Sequence, residues 1–122
     1  PHEAEVCARI QAANPSAVTV LPRLDLSQVL DVMAGCEGVI GVDSGLSHLA
    51  VALGLPHVQI FSHDRAWRAG PLPPPAGVPY QIAIGGQSAP DLSTVLAAWT
   101  QAGAARPAPS ANAIAPLESA NV

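Results

Sequence analysis

Asp43, Ser44 and Gly45 stand between an apolar run (Val39, Ile40 and Val42) and the stretch Leu46-Ser47-His48-Leu49-Ala50-Val51-Ala52-Leu53, which Gly54 and Pro56 stop. That order reads as a strand, a sharp polar turn and a short helix. At the carboxyl end of a strand in an open parallel sheet, such a turn lies where ligands bind. Gly45 has no Cβ to hold a ligand off the backbone. The first N–H groups of the helix lack intrahelical partners and suit an anion. The implied chemistry is a diphosphate cradle, in which the N–H groups of Ser44, Gly45 and Leu46, with the Ser44 hydroxyl, surround a β-phosphate. When that diphosphate is a leaving group, fixed donors stabilise the transition state more than the ground state. One such donor is worth about 3 kcal/mol in comparable sites. The competing reading is helix capping by Asp43 or Ser44, which any strand–helix unit can show.

His48 lies three residues after Gly45, about one turn into the helix. Either it faces the turn, offering a hydrogen bond or positive charge to a phosphate, or it packs beneath as a core histidine bonded to a backbone carbonyl. His48, His57 and the pair His63-Asp64 follow no zinc spacing, so neither a metal nor a cofactor is expected. Three familiar motifs are missing. Gly35, Gly38 and Gly41 recur every third residue but precede and enter a strand, which is not a dinucleotide fingerprint. A phosphate-binding loop of the Walker type requires a Lys. A nucleophile elbow requires a Gly where Val42 stands.

The elements that must position this turn follow from the apolar pattern. Helices are predicted over His2–Ala13 (apolar at Val6, Cys7 and Ile10), over residues 26–36 behind an Asp25 N-cap, over 45–53 and over 90–101. Leu26, Val29, Leu30 and Met33 mark the inner face of the second. Strands are predicted over residues 17–21, 38–42, 57–61 and 80–84, the second of them covered on both faces. Helix and strand alternate, so the expected fold is α/β, a Rossmann-like sheet of four parallel strands joined by crossovers. A Pro/Gly-rich loop spans 62–79, long enough to be functional. Within it, Trp67 with Arg65 and Arg68 offers an aromatic and cationic surface to an anionic acceptor. Residues 1–102 form one domain, and 103–122, with seven Ala and three Pro, are expected to be a flexible tail.

Composition narrows the partners. The 122 residues are small for a complete two-domain enzyme. Aromatic residues make up only 3% against 49% hydrophobic, so the core must come from Leu, Val, Ile and Ala. A formal charge of −4, with five Arg and no Lys, argues against nucleic acid. No uninterrupted apolar stretch is long enough to span a membrane. The chain opens Pro1-His2-Glu3 without a Met or a leader, so a fragment or processed product is expected. Cys7 and Cys36 have no metal-type spacing and are expected to be buried thiols in a reducing compartment.

Asp43-Ser44-Gly45-Leu46-Ser47-His48-Leu49-Ala50 resembles the signature of the ADP-heptose:lipopolysaccharide heptosyltransferases, glycosyltransferase family 9. The similarity extends upstream through His2-Glu3 and Leu21-Pro22-Arg23-Leu24-Asp25-Leu26 and downstream into His57–Phe61. About residues 1–100 correspond to the carboxyl-terminal half of such an enzyme. The resemblance implies the donor-binding half of a two-domain (GT-B) inverting glycosyltransferase. Its donor is ADP-heptose, and its acceptor, the Kdo-lipid A inner core of lipopolysaccharide, is met through the other half.

The resemblance also implies roles. Asp43 contacts the donor's heptose hydroxyls, Ser44, Gly45 and Leu46 hold its diphosphate, and His48 belongs to the same pattern. Glu3 binds the ribose, with Glu5 as the competitor if the register slips, and Leu24 packs on adenine. Arg23 is read as a surface residue. The catalytic base, an Asp, and the phosphate-binding Lys lie on parts absent from this chain, so no catalytic residue is expected here. Ser62-His63-Asp64-Arg65 departs from the family's usual Gly/Pro/Thr-Asp version. The implied location is cytoplasmic, extending to peripheral association with the inner membrane. Two other readings stay open: a non-catalytic interaction domain on the same scaffold, and a GT-B enzyme using another nucleotide sugar.

Overall fold

The computed structural model describes residues 2–62, 70–71, 77–86 and 88–106. Trp67, Arg65, Arg68, His63 and Asp64, most of the predicted 62–79 loop and residues 107–122 lie outside the described residues. The chain divides into two compact units, Pro1–Val32 and Met33–Val122.

In the first unit, helix α1 spans His2–Ala13, with Glu3 and Glu5 in its first turn, where a carboxylate complements the helix dipole. No α1 residue is buried, and Val6, Cys7 and Ile10 are all exposed. Beyond it, Ala17 N–H and Val18 N–H both donate to Asn14 O, at 3.1 and 3.0 Å. The predicted strand over residues 17–21 is therefore a turn running into unpaired chain. β-Branched residues favour a strand only when a neighbour accepts the ladder, and here the first two donors are spent locally.

Helix α2, Leu26–Ala34, starts as predicted at Asp25. Gln28 N–H donates to Asp25 Oδ1 at 2.8 Å, and Asp25 N–H donates back to Gln28 Oε1 at 3.0 Å, a reciprocal capping box. Of its predicted inner face only Met33 is buried, while Val29 and Leu30 are half-buried and Leu26 is exposed. The helix stops two residues before Cys36, whose side chain is exposed like that of Cys7. The expectation of two buried thiols fails because neither lies on a face that packs.

The second unit holds β1 (Val39–Val42), α3 (Gly45–Ala52), β2 (His57–Phe61), β3 (Gln81–Gly85) and α4 (Leu92–Ala104). The strands form one parallel sheet in the order β1-β2-β3, with Val39 opposite His57 and His57 opposite Gln81. Three strands are thus present among the described residues where four were predicted. Alternation along the strands puts Val58, Ile82 and Ile84 on one face, where they pack with Ala98, Ala102 and Trp99 of α4. The opposite face lies under α3 and is largely polar: His57, Gln59 and Gln81 are buried there together with Ser47 of α3, beside the apolar Phe61 and Ala50. Gln81 Nε2 donates to Val51 O at 3.2 Å, in the last turn of α3, and to Leu55 O at 3.4 Å, in the loop that follows.

β1 corrects the expectation of a strand covered on both faces. Among the described residues it is an edge strand, and Ile40 and Val42 are 46% and 59% exposed on the side that α4 covers farther along the sheet. At the other edge, Gly85 ends β3 with φ +88°. A Cβ there would collide with Phe61 O and lie 3.1 Å from Pro90 Cδ. The turn leads to Asp91, the N-cap of α4, which was not foreseen. Its Oδ1 accepts from Thr94 Oγ1 (2.7 Å), Thr94 N–H (2.8 Å) and Ser93 Oγ (2.9 Å). Those bonds, Thr94's hydroxyl foremost, hold the carboxyl below its ordinary value.

His57 is 0% exposed, and neither ring nitrogen has a hydrogen-bond partner among the described residues. Burial lowers its pKa from the ordinary 6.5, and the charge of His48 pushes the same way.

Two predictions follow from this packing. Gly85→Ala lowers stability by about 2 kcal/mol or more, through its positive φ and the Phe61 carbonyl. Gly86→Ala, with nothing within 4 Å of the added carbon, leaves the urea midpoint nearly unchanged. Equal midpoints for the two variants would contradict the first. The second prediction concerns acid. The unfolded chain protonates His57 near pH 6.5 while the fold keeps it neutral, so its contribution is complete above 6.5 and lost as the pH falls below that value. His57→Leu removes this part of the acid limb; an unchanged limb in urea titrations from pH 7.5 to 5 would refute it.

Candidate functional site

The candidate site is the elbow between β1 and α3. β1 delivers Asp43 to the carboxyl edge of the sheet, where its side chain is exposed and makes no hydrogen bond among the described residues. Ser44 is the N-cap of α3 by position, with extended φ −150° and ψ 168°, yet its hydroxyl makes no capping bond. The capping alternative is therefore realised by neither side chain. The first α3 residue whose N–H turns back into the chain is Ser47, which reaches Ser44 O at 3.1 Å. The N–H groups of Ser44, Gly45 and Leu46 precede it and have no partner among the described residues. The helix dipole adds a partial positive charge at the same end.

Gly45 is informative for what it does not need. Its φ is not positive, and a Cβ on it would meet nothing within 4 Å. Neither backbone conformation nor internal packing demands glycine there, although glycine is a poor helix former. The open space above it is what close approach of an external group to the backbone requires.

His48 is exposed on α3. It is not the core histidine of the second reading; that place is taken by His57 of β2, on the face beneath α3. Ser47, one residue earlier, is 1% exposed, and its Oγ donates to Val42 O at 2.6 Å. Ser47, Gly41 and His57 were not among the residues singled out for this turn. Two weak signals pointed to them: a hydroxyl inside an apolar helix and a glycine inside an apolar strand.

Asp43, Ser44, Gly45, Leu46 and His48 thus share one turn. Glu3 and Leu24 belong to the first unit: Glu3 is exposed in the first turn of α1, as is Glu5, and Leu24 is half-buried just before the Asp25 cap. Among the described residues no three His, Cys, Asp or Glu side chains are placed to hold a metal ion, and no helix is long and apolar enough to cross a membrane. Chemically, the elbow is a cluster of neutral donors beside one carboxylate. It can bind an anion and hydroxyl groups side by side.

Over 61 residues the chain is 44% identical to lipopolysaccharide heptosyltransferase 1 of Salmonella typhimurium, a stretch covering 50% of this chain and 19% of that protein. The corresponding protein of Escherichia coli is 43% identical over the same length and shares. That of Pseudomonas aeruginosa is 42% identical over 59 residues, 48% of this chain and 16% of its own. The matched stretch is thus less than a fifth of each relative's length. No solved structure matches the chain significantly. Residues 1–87 match glycosyltransferase family 9 (heptosyltransferase), and the chain belongs to that family.

Proposed function

We propose that this chain is the donor-binding half of an inverting heptosyltransferase of GT-B architecture. In this reading ADP-heptose is the donor and the Kdo of the lipopolysaccharide inner core is the acceptor. The observation that carries it is the unspent donor set at the head of α3, the N–H groups of Ser44, Gly45 and Leu46 with the Ser44 hydroxyl. These hold the diphosphate as the bond from the anomeric carbon to its oxygen breaks and the electron pair moves onto it. Asp43 accepts hydrogen bonds from the heptose hydroxyls, and His48 stands on the exposed side of the same helix. The family resemblance, rather than geometry, assigns Glu3 to the ribose and Leu24 to the adenine.

The acceptor hydroxyl attacks the anomeric carbon from the opposite side and gives its proton to a general base, which is how the configuration inverts. No residue of this chain is assigned that task; the base belongs to the amino-terminal half of such an enzyme. The chain alone therefore binds the donor and does not turn over. The location consistent with this role is cytoplasmic, at the inner face of the inner membrane where the acceptor is built.

Calorimetric titration of ADP-heptose into the 122-residue chain tests the reading. Gly45→Val, whose side chain occupies the open space, and Asp43→Ala each weaken binding at least tenfold, a loss of about 1.4 kcal/mol. Absence of binding by any ADP- or UDP-sugar would instead identify an interaction domain. Preference for UDP-sugars would move the chain to another donor, and heptose transfer by the chain alone would overturn the division of labour.

A further inference from the structure

The hydroxyl of Ser47 closes a ring around every residue assigned to the donor's diphosphate and sugar except His48. Its acceptor, Val42 O, lies five residues back and outside the helix, so the 2.6 Å bond spans Asp43, Ser44, Gly45 and Leu46. A serine hydroxyl inside a helix ordinarily bonds a carbonyl three or four residues earlier on the same helix. Here it leaves the helix and ties its first turn to the end of β1. The backbone bond from Ser47 N–H to Ser44 O joins the helix only to its own cap.

The strand is shaped to receive this side chain. A Cβ at Gly41 would lie 2.7 Å from Ser47 Oγ, closer than packed atoms approach, and the next side chain on that face is buried His57, 3.9 Å away at Nε2. Glycine weakens a strand interior, and serine is a mediocre residue inside a helix. Two locally unfavourable choices meet at one contact, which marks a position where local preference has yielded to something else. The shape of the elbow is what they set. Hydrogen-bond donors act on a developing charge only when already aimed at it, and a displacement of about 1 Å costs on the order of a hundredfold in rate.

We propose that Ser47 is a positioning residue: its hydroxyl, seated against Gly41 and bonded to Val42 O, fixes the direction of the Ser44, Gly45 and Leu46 N–H groups. It does not touch the ligand. The inference rests on the donor-site reading, because it assumes that those N–H groups hold a β-phosphate.

Calorimetric titration of ADP and of AMP into the full chain, with thermal midpoints recorded alongside, separates aiming from simple stability. The wild-type chain prefers ADP, whose β-phosphate reaches the cradle. Ser47→Ala lowers ADP affinity about tenfold and AMP affinity less than twofold, and Ser47→Thr, which keeps the hydroxyl, restores the preference. If the Ala variant does not fold, Ser47→Cys, close in volume but a weaker donor, is read in the same way. Retention of the wild-type ADP-over-AMP ratio in the variant lacking the hydroxyl would overturn the proposal. So would an equal loss for both nucleotides in step with the midpoint, the mark of a purely structural serine. A wild-type chain that does not bind ADP would overturn the donor-site reading and this inference together. If the wild type binds and Gly45→Val abolishes binding while Ser47→Ala leaves it intact, the positioning role alone fails.

Discussion

Every element of the second unit is organised by one constraint, the need to cover β2 on both faces and along both edges. Four of its five residues are buried, and its backbone is paired to β1 on one side and β3 on the other. Parallel pairing sends all three strands the same way, so each strand must be followed by a crossing before the next begins. α3 is the crossing between β1 and β2, and that alone brings a helix N-terminus to the carboxyl end of β1. An elbow with open helix N–H groups is thus a consequence of parallel topology before any residue in it is chosen. What the residues choose is whether the elbow is capped by its own side chains or left open, and Asp43 and Ser44 leave it open.

The two faces of the sheet are stabilised differently. On the α4 side, Val58 packs with Ala98 and Ala102, a small apolar core in which area removed from water supplies the stability. On the α3 side Ala50 and Phe61 are buried beside four polar residues, Ser47, His57, Gln59 and Gln81, whose burial costs free energy unless it is answered by hydrogen bonds. Gln81 answers at the end of α3 and Ser47 at its beginning, so α3 is held by side-chain bonds at both ends. Such bonds are directional and fix orientation more tightly than contact between aliphatic surfaces. A helix whose first turn must point its N–H groups at one place benefits from that kind of attachment.

How much of this was legible in the sequence depended on whether a signal was local. The helix over His2–Ala13, the strand over His57–Phe61 and the Asp25 cap could be read because period, β-branching and a capping residue act within a few positions. The strand expected over residues 17–21 failed because a strand is a relation between two segments, and its donors had a nearer acceptor in Asn14. Ile40 and Val42 were expected to be covered for the same reason: the apolar run is visible in the chain, but its place at the edge is not. In the elbow, the order Asp43-Ser44-Gly45 marked the turn itself, where Asp43 and Gly45 are exposed and Ser44 is half-buried. The buried Ser47 and His57 and the half-buried Gly41 beneath them became apparent only once the register set His57 opposite Val39.

The position of Asp43 decides what an open elbow can hold. Two unit charges about 6 Å apart repel by roughly 3 kcal/mol at an effective dielectric of 20, so a carboxylate turned toward a diphosphate would cancel about one good donor. The penalty would grow in the transition state, where the diphosphate gains charge. A carboxylate can sit beside such a cradle without opposing it only if it faces neutral hydroxyl groups, each of which gives it a charge-assisted bond worth about 1.5–3 kcal/mol. Asp43 has no internal hydrogen-bond partner among the described residues, so its oxygens are available for that purpose. The pairing of neutral donors with an adjacent free carboxylate therefore suits a ligand that is anionic at one end and rich in hydroxyls at the next. A sugar diphosphate meets that description, and an inorganic anion meets only half of it.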